Sequence, residues 1–121
     1  MPEIQQIIED YLSAWNSSDP EERVRLMTKV LAENCLYIDS HLPDPITGKE
    51  LHCQFIDRFR EKFPDLSLNL VASPDSHHGY FRFSWQMFKS NGEIFTQGSF
   101  LGEINEQDKI TKLVGFVDKN Q

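Results

Sequence analysis

The order of patterns along this chain predicts an α+β protein in which helices pack against one antiparallel sheet. Three amphipathic helical segments fill the first half and four aromatic-rich alternating segments fill the second, which leaves no place for βαβ crossovers. On the longest of those alternating segments Phe81, Phe83, Trp85 and Met87 fall on one face, with Arg82, Ser84 and Gln86 on the other. A curled sheet lined by aromatics and closed by helices encloses a small-molecule pocket as a rule.

The elements follow in order. Ile4, Ile7, Ile8, Tyr11, Leu12 and Trp15 recur at helical spacing behind Pro2, so residues 2–16 read as an amphipathic helix. Asp19, Pro20 and Glu22 give a cap, a first-turn proline and a capping-box acid for a second helix, with Val24, Met27, Val30 and Leu31 inward and an end near Asn34. The short run Cys35-Leu36-Tyr37-Ile38-Asp39 is a strand that stops in a loop, where Pro43 and Pro45 exclude regular pairing. Thr47 with Glu50 is a capping box for a third helix, whose inner stripe is Leu51, Phe55, Ile56, Phe59 and Phe63 and which Pro64 ends.

Residues 66–71 alternate like a half-buried strand and Ser73-Pro74-Asp75-Ser76 breaks it. Residues 80–89 and 93–104 make a hairpin around Asn91-Gly92, the signature of a type I′ turn. Asn105-Glu106-Gln107-Asp108 turns the chain into a last strand over residues 110–118. Without repeats, low-complexity tracts or linkers, residues 1–121 read as one domain. A domain of this length buries roughly two thirds of its unfolded surface.

Composition narrows the function. A formal charge of -7 disfavours nucleic acid and anionic membranes as partners, since both need a clustered basic face. Met1-Pro2-Glu3-Ile4 carries acid where a signal peptide is basic, and no apolar stretch approaches the ~20 residues of a membrane span, so the expectation is a cytoplasmic protein. Cys35 and Cys53 lack the C-x-x-C spacing and read as reduced, buried residues. His77 and His78 are strand neighbours pointing to opposite faces, and with His52 they do not make the three convergent ligands a metal needs. No metal and no cofactor are expected.

The chain resembles the nuclear transport factor 2-like superfamily, within it the SnoaL-like polyketide-cyclase branch, and more distantly ketosteroid isomerase. The resemblance runs through Tyr11-Leu12-x-x-Trp15 with Asp19, Leu36-Tyr37-Ile38-Asp39, Gly48, Phe63-Pro64-Asp65-Leu66, Phe83-x-Trp85 and the stretch from Lys109-Ile110 to Gly115-Phe116-Val117-Asp118. It implies a cone-shaped α+β barrel of the cystatin-like class, three N-terminal helices on a curved, mostly antiparallel sheet, and a homodimer formed through the convex face. By resemblance, Asp39 is the general base and Tyr11 the oxyanion donor; read from the residues alone, Asp39 is equally a strand-end acid bonding the amides of the following loop, and Tyr11 with Trp15 a pair of core aromatics. His41, two residues beyond Asp39, either pairs with it, guards the entrance or is an inert loop residue. The expected lining is Trp15, Tyr37, Phe55, Phe59, Trp85, Phe100 and Phe116 around Tyr11 and Asp39.

One position departs from the cyclases. Their penultimate strand carries an acid in a Gly-x-Asp pattern, and here the chain reads Gly98-Ser99-Phe100. A phenyl ring cannot transfer a proton. Three functions follow as expectations: an isomerase- or cyclase-like enzyme acting on a small apolar carbonyl compound, a non-catalytic binding module for an apolar or aromatic ligand, and a dimerisation domain.

Overall fold

The computed structural model describes residues 3–119, in three helices and seven strands. The first helix, α1 (Ile4–Asn16), turns Ile7, Ile8, Tyr11, Leu12, Ala14 and Trp15 inward; Pro2, expected in its first turn, lies outside the described residues. The second, α2 (Pro20–Val30), begins at Asp19, whose carboxylate accepts from the Glu21 amide at 3.0 Å. The expected capping box is half made: the Asp19 amide donates to the Ser17 hydroxyl at 3.1 Å, not to Glu22.

Strand β1 (Leu31–Asp39) follows α2 without a break, four residues earlier than the sequence predicts. Leu31 is 2% exposed and pairs with Ile110, so tertiary pairing overrides the good helical propensity of Leu31-Ala32-Glu33. The inner face of α2 also differs from expectation. Val24 is 49% exposed, and the buried residue beside it is Arg23. Its guanidinium donates to the carbonyl oxygens of Ala14 and Ser17 and to the Asp57 carboxylate, tying all three helices together.

Residues Ile46–Thr47 form β2, which pairs antiparallel with β1. Thr47 is thereby used in the ladder and does not cap α3 (Lys49–Lys62); Gly48 takes the cap position at φ 101°, a conformation that glycine adopts without a steric penalty. On α3 the inward residues are His52, Cys53 and Ile56, while Leu51 is 53% exposed. Phe55, Phe59 and Phe63 are half-buried, packed against the core from its edge.

Strands β3 (Ser67–Leu70), β4 (Asp75–His77), β5 (Tyr80–Phe88), β6 (Ile94–Ile104) and β7 (Ile110–Val117) complete one seven-stranded sheet in the order β2-β1-β7-β6-β5-β3, with β4 also on β5. All pairs are antiparallel except β1 with β7, and the sheet does not close. The fold is thus the expected α+β cone of three helices on a mostly antiparallel sheet. On β5, Phe81, Phe83, Trp85 and Met87 are buried while Tyr80, Arg82 and Ser84 are exposed, as the alternation requires.

The turns differ in detail. The segment read as a break contains β4, and the two-residue turn with positive φ at both positions is His78-Gly79, which joins β4 to β5. Between β5 and β6 only Gly92 has positive φ; the Gly92 amide donates to the Lys89 carbonyl and the Lys89 amide to the Glu93 carbonyl. That is a type I turn with a bulge in place of type I′.

Candidate functional site

Asp39 is the last residue of β1, and strand period places Tyr37 on the same side of it. The Tyr37 hydroxyl donates to Asp39 Oδ2 at 2.6 Å. The other carboxylate oxygen accepts from the His41 amide at 2.8 Å and lies 3.1 Å from the His41 ring Nδ1. The carboxylate is 13% exposed, whereas the His41 side chain is 70% exposed. Asp39 therefore both closes the 40–42 turn and faces inward. Burial, with smaller effects from Tyr11 and Asp39, pushes the Tyr37 phenol well above its ordinary range, so it is a neutral donor near pH 7.

Beyond this pair a cavity of about 640 Å³ opens between α3 and the inner face of the sheet. Trp15, Tyr37, Phe55, Phe59, Trp85 and Phe100 form its aromatic wall, and Asp39 and His41 are at its border. Leu68, Met87, Phe95 and Val117 add apolar surface, while Arg58 and Lys62 of α3 add charge. Trp15 meets the rings of Phe55 and Phe59 edge-on, with centroids 6.0 and 5.3 Å away. Such pairs fix the shape of the wall as well as burying area.

Gly115 stands opposite Asp39 in the parallel pairing of β1 with β7. A Cβ there would come 2.8 Å from the Phe100 ring and 3.5 Å from Asp39 Oδ2. The missing side chain is what lets Phe100 lie beside the carboxylate. Phe100, where the resemblance implied an acid, is 3% exposed and touches Tyr11, Tyr37, Phe83 and Trp85.

Two of the expected site residues lie elsewhere. Tyr11 does not border the cavity: it is fully buried, and its hydroxyl is 2.9 Å from Nε2 of His52, so the donor near Asp39 is Tyr37. Phe116 is 56% exposed on the face turned away from the helices. The β6–β7 register shifts beside Ile104, which reverses the inward parity between Ile110 and Leu113 and brings Gly115 and Val117 to the inner side.

His52 was read only as a poor metal ligand. It is fully buried, packed on Tyr37 with centroids 4.3 Å apart, and its Nδ1 has no partner among the described residues. Burial, slightly opposed by the Asp39 charge, lowers it to about 3, so it is neutral at physiological pH. Its partnership with Tyr11 spans 41 positions of sequence and leaves no local signal. Arg58 and Lys62, by contrast, are one helical turn apart beside Phe55 and Phe59, a pattern visible in the sequence. Burial pushes the Cys35 thiol up to about 12, which removes it as a nucleophile. No helix among the described residues is long and apolar enough to cross a membrane.

A half-open cone with an aromatic cavity between α3 and the sheet defines a class of small pocket-bearing α+β domains. The chain belongs to the SnoaL-like family. It is similar to a SnoaL-like protein from Agrobacterium tumefaciens, named for a proposed isomerase activity, at 32% identity and a TM-score of 0.86, covering 94% of this chain and 96% of that one. A nuclear transport factor 2-like protein of unknown function from an Exiguobacterium species matches with TM-score 0.74 at 15% identity, over 94% of this chain and 99% of that one. A Jannaschia protein, named for a proposed SnoaL-like polyketide-cyclase activity, matches with TM-score 0.72 at 12% identity, over 93% and 85% of the two chains. These two share the fold. No family model matches the chain, and no curated protein sequence matches it.

Proposed function

We propose that this protein takes a small apolar or aromatic molecule into the cavity and acts on it as an isomerase- or cyclase-like enzyme, with Asp39 moving the proton. The observation that carries the reading is a largely sheltered carboxylate bordering a mainly apolar, aromatic-walled cavity, with a neutral phenol donating to it. A carbonyl compound seated on that wall would offer Asp39 an acidic C–H. The Tyr37 hydroxyl keeps the carboxylate oriented and would follow its charge through the transfer. No cofactor enters this scheme, and the Agrobacterium and Jannaschia relatives, named for proposed isomerase and polyketide-cyclase activities, support its isomerase- or cyclase-like part.

The binding-module reading has one observation in its favour: Phe100 supplies a ring where a second proton-transfer group would stand. The two readings part at Asp39→Asn. With a panel of cyclic enones followed by absorbance, the enzyme reading expects turnover to fall about 10²–10⁴-fold while the unfolding midpoint is kept. A protein that raises its midpoint with an enone but never turns it over, with or without Asp39, is a binding module.

We propose further that two copies pair through the sheet face turned away from the helices. A groove of about 730 Å³ there is bordered by Val71, Pro74, Arg82, Leu101 and Phe116, and Leu101 and Phe116 are 48% and 56% exposed.

A further inference from the structure

We propose that the molecule held in the cavity is an anion, an apolar or aromatic body carrying a carboxylate or an acid of similar charge, and that Arg58 and Lys62 receive the charged group. The inference rests on the reading of the cavity as a ligand site and adds to it the ligand's charge. Both side chains border the cavity next to Phe55 and Phe59. Lys62 Nζ lies 5.5 Å from the centroid of the Phe63 ring, so the ammonium stays on the aromatic rim.

Charge and place together set these two apart. The chain has 19 acidic residues against 12 Lys and Arg, so acids are in excess as partners. Arg23, Lys29, Lys49, Arg82 and Lys112 all stand within ion-pair distance of a carboxylate on another element or well removed in sequence. Among the described residues Arg58, Arg60, Lys62, Lys89 and Lys109 form no ion pair, and of these five Arg58 and Lys62 alone border the cavity. Two unpaired cations on one side of an aromatic cavity create local positive potential on a molecule whose overall field repels anions. The same cations oppose a cationic ligand. Asp39, the acid bordering the cavity, already accepts from Tyr37 and His41 and so competes little for a cation. An anion gains charge-assisted hydrogen bonds from the guanidinium fork, and its apolar body buries against Phe55 and Phe59.

The test uses two dyes that share one ring system, anilinonaphthalene sulfonate, which is anionic, and N-phenylnaphthylamine, which is neutral. Both tryptophans of the chain border the cavity, so quenching of tryptophan emission with energy transfer to the dye reports binding there. The anion is expected to bind about tenfold more tightly than the neutral dye, and the preference should fade as salt shortens the Debye length to about 3 Å. R58Q/K62Q should abolish the preference and leave the affinity for the neutral dye unchanged. R25Q/K29Q, which removes the same charge from α2, should keep it. Equal binding of the two dyes by the parent protein, or a preference that survives R58Q/K62Q, overturns the anion while leaving the cavity reading in place. Binding of neither dye overturns both.

Discussion

At Asp39 two requirements meet in one side chain. One oxygen closes the turn after β1 through the His41 amide, and the other takes the Tyr37 hydroxyl, so the carboxylate is held in one orientation. Such preorganisation is what a proton-transfer group needs. His52, one layer deeper, makes a prediction of its own. Its ordinary value of 6.5 falls to about 3 on folding because burial penalises the imidazolium. The folded value is depressed, so this contribution to stability is complete above about pH 6.5. It is lost as pH falls toward 3, at up to about 1.4 kcal/mol per pH unit. Urea unfolding across that window should therefore show a shallower acid slope for His52→Gln than for the parent protein. Equal slopes would mean that the native imidazole takes up its proton freely.

At the scale of elements, α3 does two jobs with two sides. Ile56 is fully buried in the core, whereas Phe59 is half-buried, packed on Trp15 and Phe63 and facing the cavity. Ile56→Ala should cost about 2–5 kcal/mol of stability and leave dye affinity nearly unchanged. Phe59→Ala should cost less than the about 3–5 kcal/mol of a fully enclosed ring and weaken the dye. Denaturant midpoints and dye titrations on the two variants check the division, and a reversed order of the stability losses would refute it. The sheet has a matching device: Phe81 lies over Gly102 and Trp85 over Gly98 in directly paired positions, where an added Cβ would fall 2.2 and 2.7 Å from the rings. Glycines facing aromatic partners let the sheet curve around its contents.

Across the whole molecule, the two faces of the sheet divide the work. The inner face holds the core and the cavity, and the outer face carries exposed Leu101 and Phe116 beside an open groove. If two copies pair there, Phe116→Asp should convert the protein from dimer to monomer in sedimentation. Its unfolding midpoint extrapolated to low protein concentration should stay near that of the parent, because Phe116 takes no part in the core. A parent protein that sediments as a monomer at all concentrations would end that proposal.

Local chemistry alone determined the helices, the long hairpin, the burial of Phe81, Phe83, Trp85 and Met87, and the placement of Asp39 at a strand end; that an aromatic wall stands beside it was implied by the family resemblance. Each depends on periods of 2 or 3.6 residues and on short-range signals such as Pro20 behind Asp19. Tertiary structure decided what those periods cannot carry across the chain. A shift of one residue beside Ile104 turned Phe116 outward. Pairing of Leu31 with Ile110 ended α2 early. The crossing of α1 and α3 gave the Tyr11 hydroxyl to His52, leaving Tyr37, already two residues from Asp39 on the same strand face, as the phenol at the site. Contacts between residues 41 or 79 positions apart depend on how whole elements pack, and side-chain type carries that information only when every other element is already in place.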